Sequence, residues 1–143
     1  MGYEICGFIE QKNAVGVEWE PAIILTHMDG DFSPQNLDVS YIWSCGRTTF
    51  NEELVRYSTP VSKTHIREIG KKLKPVDSEW GAEDSQPDEM LSISYGSLCY
   101  IASKSETPEL AEYFVEQVER NLEILGLDET PPDLVRFTFV ESY

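Results

Sequence analysis

Hydrophobic residues recur along this chain with two periods, one typical of strands and one typical of helices. Two stretches near the N-terminus, 3–12 and 17–25, are rich in β-branched and aromatic residues and enclose the short segment Asn13-Ala-Val-Gly16. That arrangement predicts a β-hairpin with a glycine at positive φ in its loop. Apolar residues then occupy alternate positions over 37–45, which predicts a strand that ends at Gly46.

Three later stretches have the apolar spacing of amphipathic helices. The first begins where Thr49 and Glu52 have the spacing of a capping box. The second follows Ser62, a suitable N-cap, and stops before Pro75. The third starts at Pro108 and ends at the next glycine along the chain.

The remaining regular patterns indicate strands. Alternation over 91–95 predicts a strand that continues through 98–101, with Gly96 as a turn or bulge. A closing strand, LVRFTFVE, follows a Pro-Pro pair. The order of these elements predicts one α+β domain over residues 1–143, built on a mainly antiparallel sheet with about three helices.

The charge of the chain narrows the choice of partners. Among 143 residues there are 26 acidic and 11 basic ones, which gives a formal net charge of −15. Such a chain repels nucleic acid and attracts basic surfaces. We therefore expect a basic protein as the partner, and no direct nucleic-acid partner. Solubility or a salt-rich cytoplasm would also explain the acidity.

Several classes of protein are disfavoured by what the sequence lacks. No apolar run approaches the roughly 20 residues of a membrane span, and residues 1–12 lack the basic start of a signal peptide. We therefore expect a cytoplasmic protein with no membrane partner. The three cysteines are widely spaced without a CxxC motif, which argues against a disulfide framework and a zinc site. Walker, GxGxxG, GxSxG and HExxH motifs are missing, and no cofactor is expected.

Cys45 is a candidate for two roles. It precedes Gly46 and lies two residues before Arg47, surroundings that suit a reactive thiolate. It also lies on the alternating apolar face of the 37–45 stretch, which predicts burial. We expect a core cysteine that is dispensable for activity, because neither histidine is predictably near it.

Carboxylates are concentrated in two places. Five glutamates of the third helix recur every three or four residues, on the side opposite the apolar residues Leu110, Phe114, Val118, Leu122 and Leu125. These glutamates are Glu109, Glu112, Glu116, Glu119 and Glu123. The 77–89 stretch has six carboxylates and no cation, and it predicts a long loop. Its candidate binding residues are Glu79, Trp80, Glu83 and Asp84. Either group of carboxylates could bind a basic partner. Alternatively, both are ordinary solvent-exposed surfaces.

Cations are concentrated in the second helix. Between positions 61 and 75 there are five cations and one acid. Four of the cations share one helical face: Lys63, Arg67, Lys71 and Lys74. That face suits a small anionic nucleotide. Alternatively, its cations pair with carboxylates of the chain itself or of a second copy in a homo-oligomer.

The stretch THMDGDFS places His27, Asp29 and Asp31 at alternate positions. These residue types serve as ligands for hard metal ions or as acid–base groups, as does His65. His27, Asp29 and Asp31 are the candidates for a metal site. The same three residues with His65 are the candidates for a small hydrolase or nucleotide-processing enzyme. Asp-Gly-Asp is also ordinary turn chemistry.

The segment GYEICGFIE, followed by Trp19-Glu20-Pro21, resembles the opening of small uncharacterised phage-encoded proteins. Those proteins begin Y-[DE]-I-x-G-[YF]-I-E and then carry a tryptophan, and Cys6 stands where they usually have histidine. The match covers about 20 of the 143 residues and implies a viral or mobile-element origin without a known activity. With the charge pattern, it predicts a non-enzymatic inhibitor of the counter-defence type. Such a protein would act in the host cytoplasm by occupying a basic protein surface or sequestering an anionic nucleotide.

Overall fold

The computed structural model describes residues 2–12, 18–22, 24–25, 37–38, 42–73 and 87–142. The strands within those ranges are β1 (Glu4–Lys12), β2 (Trp19–Pro21), β3 (Ile24–Leu25), β4 (Leu37–Asp38), β5 (Ile42–Cys45), β6 (Thr59–Pro60), β7 (Leu91–Ser94) and β8 (Val135–Ser142). The helices in the same ranges are α1 (Thr49–Tyr57), α2 (Lys63–Leu73), α3 (Tyr95–Ser103) and α4 (Pro108–Ile124). The fold is α+β with a mainly antiparallel sheet, as the sequence predicts.

The first and last strands of the chain are neighbours in the main sheet. β1 and β8 pair over their whole shared length, from Glu4 opposite Ser142 to Gln11 opposite Val135. On its other edge β1 pairs with β5 at one end and with β2 at the other, which confirms the expected pairing of the first two strands. The strand order is β2-β1-β8-β7-β6, and β3 pairs separately with β4. The expected hairpin loop lies outside the described residues.

Helices cover both faces of this sheet. One face packs against α1, α3 and α4 through buried side chains that include Ile5, Ile9, Phe137, Phe139, Phe50, Leu98, Phe114 and Val118. Because successive strand residues point to opposite faces, Phe8 lies on the other face. There it packs with Ile66, Ile69 and Leu73 of α2. The predicted apolar stripe of the second helix is thereby confirmed.

Close packing between β1 and β8 requires a glycine at position 7. A Cβ built on Gly7 would collide with the carbonyl oxygen of Thr138 and lie 2.6 Å from the Cβ of Phe139. Backbone atoms of a paired strand cannot move aside cheaply. The second glycine of the N-terminal segment therefore has a packing role.

The helix boundaries follow local capping chemistry. The Ser62 hydroxyl accepts a hydrogen bond from the His65 amide at 3.1 Å, as expected of the N-cap of α2. In α1 the N-cap is Thr48 rather than Thr49, and its hydroxyl accepts from the Asn51 amide at 3.0 Å. The start of α4 at Pro108 is confirmed.

The strand predicted over 98–101 is wrong. β7 ends at Ser94, and residues Tyr95–Ser103 form α3. Ser94 is the N-cap, because its hydroxyl accepts a hydrogen bond from the Ser97 amide at 3.1 Å. Leu98 and Ile101 are both buried, three residues apart, so they lie on one side of a helix.

The predicted burial of Cys45 is also wrong, because Cys45 is exposed. β5 points Ile42 into the core and leaves Trp43 49% exposed, so the inward face is the one opposite to that expected. The inward polar residue, Ser44, donates a hydrogen bond from its hydroxyl to the side-chain oxygen of buried Asn51 at 2.6 Å. That bond gives the inward-facing Ser44 hydroxyl a partner, so β5 can pair with β1 in the register that turns Ser44 inward.

Candidate functional site

The exposed side of α4 divides into two strips. Its buried residues are Ala111, Phe114, Val118 and Leu122. All five predicted glutamates are exposed, and at about 100° per residue they form one continuous strip along the helix. Leu110 was expected in the core, but it is 47% exposed and lies on the other strip with Tyr113. Ala111 takes the buried position, and Leu125 is half-buried.

A groove of about 560 Å³ borders the C-terminal end of this acidic strip. We call it the α4 groove. Its apolar wall is formed by Leu122, Leu127 and Val135. Its carboxylates are Glu119, Glu123, Asp128 and Glu129, and the residues described as lining it include no cation.

The turn after α4 brings two of these carboxylates to the groove. Gly126, at a φ of 73°, ends the helix as predicted. The Leu127 amide donates to the Leu122 carbonyl at 2.7 Å, and the Gly126 amide donates to the Glu123 carbonyl at 3.1 Å. These two bonds form a Schellman motif. The chain therefore reverses so that Leu127 packs on the core while Asp128 and Glu129 border the cavity.

Helix α3 supplies a polar side of the groove. The Tyr95 hydroxyl donates a hydrogen bond to Glu119 Oε1 at 3.0 Å and holds that carboxylate in place. Burial raises the pKa of the nearby Cys99 thiol, and the negative charge of Glu119 raises it further, against the opposing effect of a hydrogen bond with Tyr95. The thiol is therefore protonated at neutral pH and is not an activated nucleophile.

Three of the four α2 cations are exposed, Lys72 is half-buried, and two of the four have acidic partners. Lys63, Arg67 and Lys71 lie on its exposed surface. Lys71 Nζ lies 3.3 Å from Glu68 Oε1, and Lys72 Nζ lies 3.5 Å from Glu20 Oε2. Lys63 borders a cavity of about 410 Å³ that three carboxylates, of Asp88, Glu89 and Glu141, also line. These acids make the cavity unfavourable for a phosphate.

Several predicted site residues lie outside the described residues. They are His27, Asp29, Asp31, Lys74, Glu79, Trp80, Glu83 and Asp84. Among the residues that the structure does describe, no group of three or more His, Cys, Asp or Glu side chains is arranged to hold a metal ion.

A buried ion-pair network, which the sequence did not indicate, joins α2 to the sheet. Glu10 is 0% exposed. Its Oε1 accepts from Arg136 Nε at 2.9 Å and from the Thr138 hydroxyl at 2.6 Å, and it lies 2.8 Å from Arg136 Nη2. Its Oε2 lies 2.8 Å from His65 Nε2. The guanidinium of Arg136 also stacks over the Trp19 ring at 4.4 Å.

The charge of Glu10 is stabilised by these partners. Burial by itself would raise the pKa of this carboxyl, but the hydrogen bond with His65, the charge of Arg136 and the hydrogen bond from Thr138 together lower it. His65, one of the predicted catalytic candidates, therefore contacts a carboxylate that Arg136 and Thr138 also bind. This arrangement fixes α2 on the sheet.

A further surface, rich in aromatic residues, lies beside Cys45. A cavity of about 410 Å³ is lined by Cys45, Trp43, Leu110 and Tyr113, among others. The Arg47 guanidinium lies over the Tyr3 ring, 5.0 Å from its centroid.

Comparisons with protein families, with curated proteins and with solved structures found no match. The functional argument therefore rests on the geometry of this chain. None of its helices, within the part of the chain that the structure describes, is long and apolar enough to cross a membrane.

Proposed function

We propose that this protein is a binding protein that acts by occupancy, and that the acidic strip of α4 contacts a basic surface of a partner protein. The strip consists of Glu109, Glu112, Glu116, Glu119 and Glu123, all exposed on one helix. This single continuous surface carries the proposal.

The acidic strip is weakly neutralised from within the chain. Among the described residues, the salt bridge that reaches it joins Glu116 to Arg120 at 3.9 Å, between side chains that are 61% and 71% exposed. An exposed pair of this kind is worth about 0–1 kcal/mol and exchanges readily for another partner. A basic surface would be drawn to the strip by long-range attraction and would replace solvent around several carboxylates at once.

The nucleotide-binding form of the hypothesis has less support. Lys71 and Lys72 have acidic neighbours at 3.3 and 3.5 Å, and the cavity beside Lys63 contains carboxylates. These contacts favour a role of the α2 cations in pairing with the chain's own acids. We extend the proposal to a phage-type counter-defence inhibitor in the host cytoplasm, on the resemblance of the N-terminal segment alone.

A charge-matched comparison tests the proposal. A fluorescent decalysine peptide is the probe, and Glu112→Lys, Glu116→Lys and Glu119→Lys are combined in one variant. The control combines Glu18→Lys, Glu68→Lys and Glu89→Lys, which are exposed residues outside α4. We expect affinity to fall more than about tenfold in the α4 variant and much less in the control. Equal losses in both variants would show that net charge, rather than the strip, binds the peptide.

A further inference from the structure

We infer that the α4 groove binds one arginine side chain of the basic partner. This inference rests on the proposed function, because the groove continues the acidic strip. Glu119 and Glu123 belong to both surfaces.

The groove combines an apolar wall with a carboxylate rim. Leu127, Pro131 and Pro132 offer accessible aliphatic surface above the buried Leu122 and Val135. Glu123 and Asp128 supply carboxylates at the rim. An apolar ligand would take these charges out of water without compensation, and an anion would be repelled by them. A long cationic side chain matches both the apolar wall and the acidic rim, because its methylene stem packs on the wall and its charged head reaches the carboxylates.

The end of α4 adds a second reason for a cation at this place. The C-terminus of a helix carries about half a negative charge, which basic residues in the last turn commonly offset. α1 has Arg56 in its last turn and α2 has Lys71 and Lys72, whereas α3 and α4 have no basic residue there. Because the groove lies beside that last turn, a partner's cation would supply the missing positive charge.

Arginine fits this surrounding better than lysine. Its planar guanidinium has five donors and can reach two carboxylates in fixed directions, whereas an ammonium is a point charge. Glu119 and Glu123 are one helical turn apart, and Asp128 and Glu129 come from the following turn. Tyr95 holds Glu119 by a 3.0 Å hydrogen bond, so part of the site is ordered before the ligand arrives.

Peptides with one variable position test the inference. The probes are lysine nonapeptides whose central residue is arginine, lysine or citrulline, the last being a neutral analogue of the same shape. We expect the arginine peptide to bind wild-type protein about tenfold more tightly than the citrulline peptide. A ratio near one in wild-type protein would overturn the inference while leaving the acidic-strip proposal intact.

Two double variants test whether the preference for the arginine peptide arises at the α4 groove. Glu123→Gln with Asp128→Asn removes charge from the groove, and Glu109→Gln with Glu112→Gln removes the same charge from the far end of α4. We expect the arginine-to-citrulline ratio to collapse in the first variant and to persist in the second. A ratio that persists in both variants would place the arginine elsewhere.

A measurement without peptides separates the two proposals. Nuclear magnetic resonance titration with N-acetyl-arginine amide should shift the backbone amides of Gly126, Leu127 and Asp128 in wild-type protein. If no nonapeptide binds but these shifts appear, the acidic-strip proposal is wrong and the inference that the groove binds an arginine side chain is supported. If neither is observed, both proposals are wrong.

Discussion

Glu10 and Arg136 are 126 positions apart in the sequence and lie opposite each other on β1 and β8, where Arg136 Nε donates to Glu10 Oε1 at 2.9 Å. The pair lies on the sheet face that α2 covers, and His65 of α2 contacts the other carboxylate oxygen. The two ends of the chain and one helix are therefore tied to a single buried carboxylate.

Removing the charge of Glu10 should destabilise the fold. In Glu10→Gln, Arg136 stays largely buried without its counter-charge, and a side chain with one oxygen must serve three partners. We expect a loss of about 3 kcal/mol in the free energy of unfolding, measured by urea titration. The exposed control Glu18→Gln should change it by less than about 0.5 kcal/mol. A similar small change in Glu10→Gln would show that the network contributes little.

The same carboxylate predicts how stability depends on pH. Its pKa in the folded protein is below the ordinary value of 4.5. The stabilisation is therefore complete above that value and is lost as the pH falls through the lower folded pKa. We expect the stability difference between wild type and Glu10→Gln to narrow below pH 4.5. A difference that stays constant down to pH 3 would contradict the assigned role of the charge.

Cys45 should be the thiol that reacts first. It is exposed, whereas Cys6 and Cys99 are half-buried, and burial raises the pKa of Cys6 to about 11. A chromogenic thiol reagent at pH 8 should titrate one fast cysteine in native protein, and Cys45→Ser should abolish that phase. The substitution should alter the free energy of unfolding by less than about 0.5 kcal/mol. If all three cysteines reacted at the same rate, the assignment of Cys45 as the exposed thiol would be wrong.

Local signals in the sequence were sufficient to predict several secondary-structure elements. The Ser62 cap and the spacing of Ile66, Ile69 and Leu73 predict α2 correctly, and Gly126 predicts the end of α4. These features depend on residues within one or two turns of each other, so short segments of sequence contain the information.

Features that depend on distant pairing could not be predicted in this way. Alternation in 37–45 leaves two possible inward faces, and the choice of Ile42 over Trp43 depends on how β5 pairs with β1. Likewise, Glu10 resembles an ordinary surface residue at the end of a strand until β8 brings Arg136 beside it. The α4 groove needs both α3 and the turn after α4, and α3 was expected to be a strand.

The turn that forms the groove can be tested through Gly126. Its φ of 73° is unfavourable for any residue with a Cβ, although no heavy atom beyond its chain neighbours lies within 4 Å of the position that a Cβ would take. Gly126→Ala should therefore cost about 1–2 kcal/mol in unfolding free energy, from backbone strain alone. Gly2→Ala, at a position with equally open surroundings, is the control and should be neutral. An unchanged stability in Gly126→Ala would mean that the turn adopts another conformation.

Salt should weaken binding to the acidic strip mainly by slowing association. The five glutamates of α4 are exposed, so their attraction for a basic partner acts through solvent and is screened over about 10 Å at 0.1 M salt. We expect the association rate of decalysine with wild-type protein to fall steeply between low and physiological ionic strength, with a smaller change in dissociation. Stopped-flow fluorescence measures both rates. The variant combining Glu112→Lys, Glu116→Lys and Glu119→Lys should show a much shallower dependence, because the charges responsible are reversed. If its salt dependence equals that of wild type, carboxylates outside α4 govern the encounter.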